Sequence, residues 1–110
     1  MSTFVIDSSA WVEYFDGSKS GKIVADIIDK EENTVITTVV TISELASFFK
    51  RKSKDFENEY KVILNNSKIF YLDESSAKEI GSIHGEIKLK NKKFSFADSV
   101  VLFVARKLKA

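Results

Sequence analysis

The chain contains no cysteine and no proline, one histidine, one tryptophan and four scattered glycines. Without cysteine there is no disulfide, no thiolate metal site and no cysteine nucleophile. A lone histidine cannot form the acid–base pair of a histidine-dependent ribonuclease. His84 falls at the margin of an apolar helical stripe and reads as a boundary residue. Glycines so dispersed form no phosphate-cradling loop. No apolar run approaches a membrane span, and the N-terminus lacks a basic region followed by an apolar stretch; the expected location is therefore the cytoplasm, with no membrane contact. Charge of one sign is missing too. Seventeen basic and 16 acidic residues leave a net charge of +1, so any nucleic-acid binding must come from local patches rather than a global field.

What is present is an ordinary globular composition, 44% hydrophobic and 30% charged, in 110 residues, enough for one domain with a modest core. Phe4-Val5-Ile6 reads as a short strand ending at Asp7, followed by a helix carrying Trp11, Val12 and Phe15. Asp16-Gly17-Ser18 is a turn, and a second helix is predicted over 20–30. Thr34 to Val40 is almost wholly β-branched, as in a strand buried on both faces of a parallel sheet. A third helix is expected from Thr41 into the basic run Lys50-Arg51-Lys52-Ser53-Lys54, and a fourth over 55–65. A short strand over 69–72, a long helix capped by Asp73 and a final helix from Ser95 or Phe96 to Leu108 complete the chain. The order β-α-α-β-α-α-β-α-α argues for an α/β fold with helices packed on a short parallel sheet.

Three acids share one sequence situation. Asp7 ends the first strand, Glu44 follows the second in Thr41-Ile42-Ser43-Glu44, and Asp98 opens the last helix in Ser95-Phe96-Ala97-Asp98. Each taken alone is an ordinary helix cap, the last two fitting the capping-box pattern. Taken together, a right-handed α/β topology carries successive strand ends and helix starts to one edge of the sheet, where ligands bind. Three carboxylates meeting there need a positive partner, and a hard divalent cation such as Mg²⁺ is the usual one. Such an ion binds phosphate oxygens and activates water for in-line attack. Ser8, Ser9 and Ser99, beside the acids, are candidates to position that water or a phosphate oxygen.

Val5-Ile6-Asp7-Ser8-Ser9-Ala10, Thr41-Ile42-Ser43-Glu44-Leu45 and Phe94-Ser95-Phe96-Ala97-Asp98-Ser99-Val100-Val101 resemble the three acidic motifs of PIN domains, with the VapC-like toxins of toxin–antitoxin pairs the nearest in look. The resemblance runs along the whole chain. It implies a three-layer α/β/α domain and an endoribonuclease dependent on Mg²⁺ or Mn²⁺. Asp7, Glu44 and Asp98 would be its catalytic metal ligands, RNA its substrate and a VapB-like antitoxin its partner, in a homodimer or hetero-oligomer. Such domains normally continue with a further strand beside the first and a Thr-x-Asp segment supplying a fourth acid. This sequence ends at Lys107-Leu108-Lys109-Ala110. The expectation is therefore that the natural chain is longer, or that another molecule covers the edge of the first strand.

Lysines cluster near both later acids. Lys52 closes the helix of Glu44, and Lys90, Lys92 and Lys93 precede Asp98, where they could hold an RNA backbone or simply be solvated. Phe48, Phe49, Phe56 and Tyr60 read as core and helix-packing residues; Glu13 and Glu86 have no supporting motif. The receiver and dehalogenase-type alternatives fail because Asp7 lacks an acidic neighbour and is followed by Ser8-Ser9. The remaining alternative is a catalytically degenerate PIN fold that acts as a protein-interaction module, its acids serving as caps and charged contacts.

Overall fold

The structure, a computed structural model, describes residues 2–110. Its elements are β1 (Thr3–Val5), α1 (Ser8–Asp16), α2 (Lys19–Asp29), β2 (Thr34–Thr38), α3 (Val39–Arg51), α4 (Glu57–Asn66), β3 (Lys68–Phe70), α5 (Glu74–Lys88) and α6 (Phe96–Leu108). The strands form a parallel sheet in the order β1-β2-β3, with Phe4 beside Val35 and Thr37 beside Ile69. This is the α/β architecture expected from the alternating elements.

Side chains alternate across a strand, and the two faces of this sheet bury separate cores. Phe4, Ile6, Val35 and Ile69 face a cluster with Trp11, Val24, Leu45 and Ile63 from α1 to α4. Val5, Ile36 and Phe70 face a second cluster with Ile80, Val100, Phe103 and Val104 from α5 and α6. The sheet is thus the middle layer of an α/β/α sandwich. β2, the central strand, is the most buried, which its β-branched run anticipates.

One boundary differs in a way that moves a functional candidate. The expected strand to Val40 stops at Thr38, whose hydroxyl accepts from the backbone N–H of Thr41 at 3.1 Å and caps α3 two residues earlier. Val39 and Val40 enter the helix despite their β-branching because Val40 packs into the second core. At three other helices the caps are those read from sequence, Asp7 for α1, Asp73 for α5 and Ser95 for α6, while Ser18, read only as part of a turn, caps α2.

β1 has one neighbour among the described residues. Thr34 N–H donates to Ser2 O and Ile6 N–H to Ile36 O, so the alternate residues Thr3 and Val5 turn their main-chain groups to the open edge. Along that edge runs a groove of about 560 Å³ between Ser2–Val5 and Val101 and Ala105 of α6, with Lys109 just past the helix end.

Candidate active site

Asp7 leaves β1 in extended conformation, and one carboxylate oxygen accepts from Ala10 N–H at 2.9 Å, capping α1. That cap leaves the second oxygen without a hydrogen-bond partner among the described residues. At the head of α6, Ser95 Oγ accepts from Asp98 N–H at 3.0 Å while Asp98 Oδ2 accepts from Ser95 N–H at 2.9 Å. The capping box expected from Ser95-x-x-Asp98 is therefore formed, and again one carboxylate oxygen is left over. The corresponding expectation for Thr41 and Glu44 fails, since Thr38 is the cap. Glu44 lies one turn deeper in α3, half-buried, and is free of any capping duty.

Topology carries Asp7 and the helix of Glu44 to the same edge of the sheet. Asp7 and α3 both follow the carboxyl ends of adjacent parallel strands. α6 packs beside β1, where Val101 and Ala105 line one groove with Ser2–Val5, so Asp98 opens a helix that neighbours the strand Asp7 follows. Even so, among the described residues no three Asp, Glu or His side chains are gathered closely enough to hold one ion.

A cleft of about 270 Å³ opens between α1 and α3, lined by Ser8, Ser9, Val12, Glu13, Glu44, Leu45, Phe48 and Arg51. Ser8 and Ser9 thus share a cavity with Glu44. Ser99 does not join them. It is fully buried, and its hydroxyl donates to the Phe96 carbonyl, which ties down the first turn of α6 instead of addressing a substrate.

Glu13 and Arg51 are cleft residues that their sequence context did not single out. Glu13 is half-buried and its carboxylate accepts from Ser18 Oγ, which also caps α2. A helical reading could have found both. Ser9 and Glu13 are four apart on α1, while Glu44, Phe48 and Arg51 repeat at the four-then-three spacing of one face of α3.

Of the lysines, Lys52 holds its ammonium 5.1 Å from the Phe48 ring centroid, at the rim of the same region. Lys90, Lys92 and Lys93 are exposed in the turn before α6. The aromatic residues behave as packing groups. Phe15, Phe49, Phe56 and Tyr60 continue a ring-to-ring series from Trp11, with centroid separations of 5.1 to 6.3 Å.

An α/β/α sandwich with a parallel sheet as its middle layer, and with Ser8, Ser9 and Glu44 sharing a cleft between the helices that follow its strands, defines a small α/β domain of the kind that meets ligands at that edge. The chain belongs to the PIN domain family, whose sequence model matches residues 4–110. PIN domains are generally nucleases and typically use divalent metal ions. No curated protein matches the chain. No helix of the described residues is long and apolar enough to cross a membrane.

Proposed function

We propose that the protein is a divalent-metal-dependent endoribonuclease, the toxin of a VapBC-type pair, with Asp7, Glu44 and Asp98 as the acids that hold Mg²⁺ or Mn²⁺. The observation that carries this reading is the pair of helix caps. Asp7 and Asp98 are each fixed by a backbone N–H through one oxygen, which leaves the other to act as a ligand from a preset position. Glu44 adds a third carboxylate from the cleft wall. All three are hard oxygen donors, the set that Mg²⁺ and Mn²⁺ prefer. A divalent ion held there supplies positive charge to a phosphodiester and lowers the pKa of water. Ser8 and Ser9 orient the attacking water or a phosphate oxygen, and Lys52, Lys90, Lys92 and Lys93 draw in the RNA backbone with salt-dependent affinity. A VapB-like antitoxin or a second copy of the chain is the proposed partner.

The interaction-module reading is favoured by a different observation: two of the acids already have structural work, and no three-acid group is closed. Asparagine separates the two readings, because its amide oxygen still accepts the capping N–H while its charge is gone. Under the nuclease reading, Asp7→Asn and Asp98→Asn each reduce Mg²⁺- or Mn²⁺-dependent cleavage of single-stranded RNA by more than about 100-fold, beyond the usual cost of losing an outer-shell partner. Their melting midpoints stay near the parent's. Cleavage that survives both changes, or a parent that cleaves nothing with either metal, assigns the acids to capping alone.

A further inference from the structure

The turn before α6 joins two features that the acids do not explain. Phe96, the first residue of α6, is a large aromatic left 52% exposed. Behind it stands His84 of α5, 5.6 Å away between ring centroids, and His84 in turn stacks on Phe94 at 6.3 Å with the rings 25° from parallel. The three rings form a step whose outermost member, Phe96, is open to solvent. Lys90, Lys92 and Lys93 are exposed in the turn that leads to Phe94 and Phe96.

The step is preset. Lys88 Nζ donates to the carbonyls of Lys92 and Phe94 at 2.6 and 3.3 Å, and Asn91 Oδ1 accepts from Lys93 N–H at 3.1 Å. The Phe96 carbonyl is held by the buried Ser99 hydroxyl. A fixed, exposed aromatic ring beside a lysine-rich turn matches one ligand chemistry: a polyanion that also presents flat π-faces. Single strands of nucleic acid have both; a duplex hides its base faces within its own stack.

We propose that Phe96, backed by His84 and Phe94, stacks an unpaired base of a single-stranded nucleic acid whose backbone is held by Lys90, Lys92 and Lys93. The site rests on the nuclease reading in that Asp98, two residues beyond Phe96, would then meet the strand beside the stacked base. It gives the grip on a base to Phe96, a residue outside the acidic set.

Binding and cleavage must be read separately. Fluorescence anisotropy in EDTA follows three labelled probes: an adenine dodecamer of RNA, its DNA counterpart and a blunt RNA duplex. Phe96→Ala should weaken single-strand binding roughly tenfold, as loss of a base–aromatic stack does, and leave duplex binding nearly unchanged. Phe96→Trp should preserve or tighten it. The salt dependence of Phe96→Ala should match the parent's, whereas the Lys92→Ala, Lys93→Ala double variant should lose about two from the slope on every probe. A loss confined to RNA identifies RNA as the source of the base, and an equal loss on DNA identifies any single strand; both support the site. Unchanged affinity in Phe96→Ala, an equal loss on duplex, or no binding by the parent overturns it. Metal-dependent cleavage with Phe96-independent binding would remove this site and keep the nuclease reading. Phe96-dependent binding with no cleavage under Mg²⁺ or Mn²⁺ would do the reverse.

Discussion

Trp11 is fully buried, and its indole N–H begins a chain of hydrogen bonds through the core. It donates to Thr37 Oγ1 at 3.1 Å, Thr37 donates to Ser67 Oγ at 2.8 Å, and Ser67 donates to the Ile63 carbonyl at 2.7 Å. This links α1, β2 and the end of α4, and its first two members, Trp11 and Thr37, are fully buried. Thr37→Val keeps the shape but leaves the indole N–H without its acceptor. It should cost about 1–3 kcal/mol, read from urea unfolding at constant m-value; a loss well under that range would mean that the indole finds another partner. Asp73 gives a pH-dependent case. Hydrogen bonds from the Ser76 backbone and side chain, with a smaller contribution from the charge of Lys107, hold its carboxyl below the ordinary aspartate value. A carboxyl lowered in the folded state contributes stability above its unfolded pKa and loses it as pH falls through the folded one. Asp73→Ala should therefore lower the melting midpoint at neutral pH, and the gap from the parent should shrink in acid below the usual aspartate range. A gap that stays constant with pH would show that packing, not charge, makes the difference.

Helices α1 and α2 cross so closely that a Cβ on Gly21 would stand 2.0 Å from the Glu13 carbonyl oxygen. In an exposed helix, Gly→Ala gains up to about 1 kcal/mol. Here the obstructing atom is backbone, so α1 and α2 must part. Gly21→Ala should destabilise by about 1–3 kcal/mol, measured by chemical denaturation, and a stabilised variant would contradict the close crossing. Because Glu13 and Ser9 stand on α1, the same change should disturb the cleft.

The two cores, on opposite faces of the sheet, share β2: Val35 and Thr37 serve one, Ile36 the other. A ligand that engages both β1's acid and those of α3 and α6 therefore bears on the whole molecule. If Asp7, Glu44 and Asp98 bind one cation site, Mn²⁺ at a hundredfold excess over its Kd should add about 2.7 kcal/mol, a rise of several degrees in melting midpoint. The Asp7→Asn, Asp98→Asn double variant should show no such rise. An unchanged midpoint in the parent, or an equal shift in both, speaks against the shared site.

Local chemistry determined much of this protein from sequence alone. The β-branched run from Thr34 places a buried strand, helical spacing places Trp11 on an apolar face, and Asp7, Asp73 and Ser95 announce their helices because a short acceptor before an apolar stripe satisfies an orphan N–H in any context. The motifs around Asp7, Glu44 and Asp98 likewise suffice for the PIN family. Tertiary structure decided the rest. Whether α3 starts at Val39 or Thr41 depended on Val40 finding room in the second core, a matter of packing that no local pattern encodes. Ser99 lies beside Asp98 in sequence, yet helix geometry turns it into the interior. Glu13 and Arg51, 38 positions apart, meet at one cleft only because α1 and α3 pack side by side. Spacing along a chain fixes which face a residue shares with its near neighbours; which distant face it confronts is set by how the layers close.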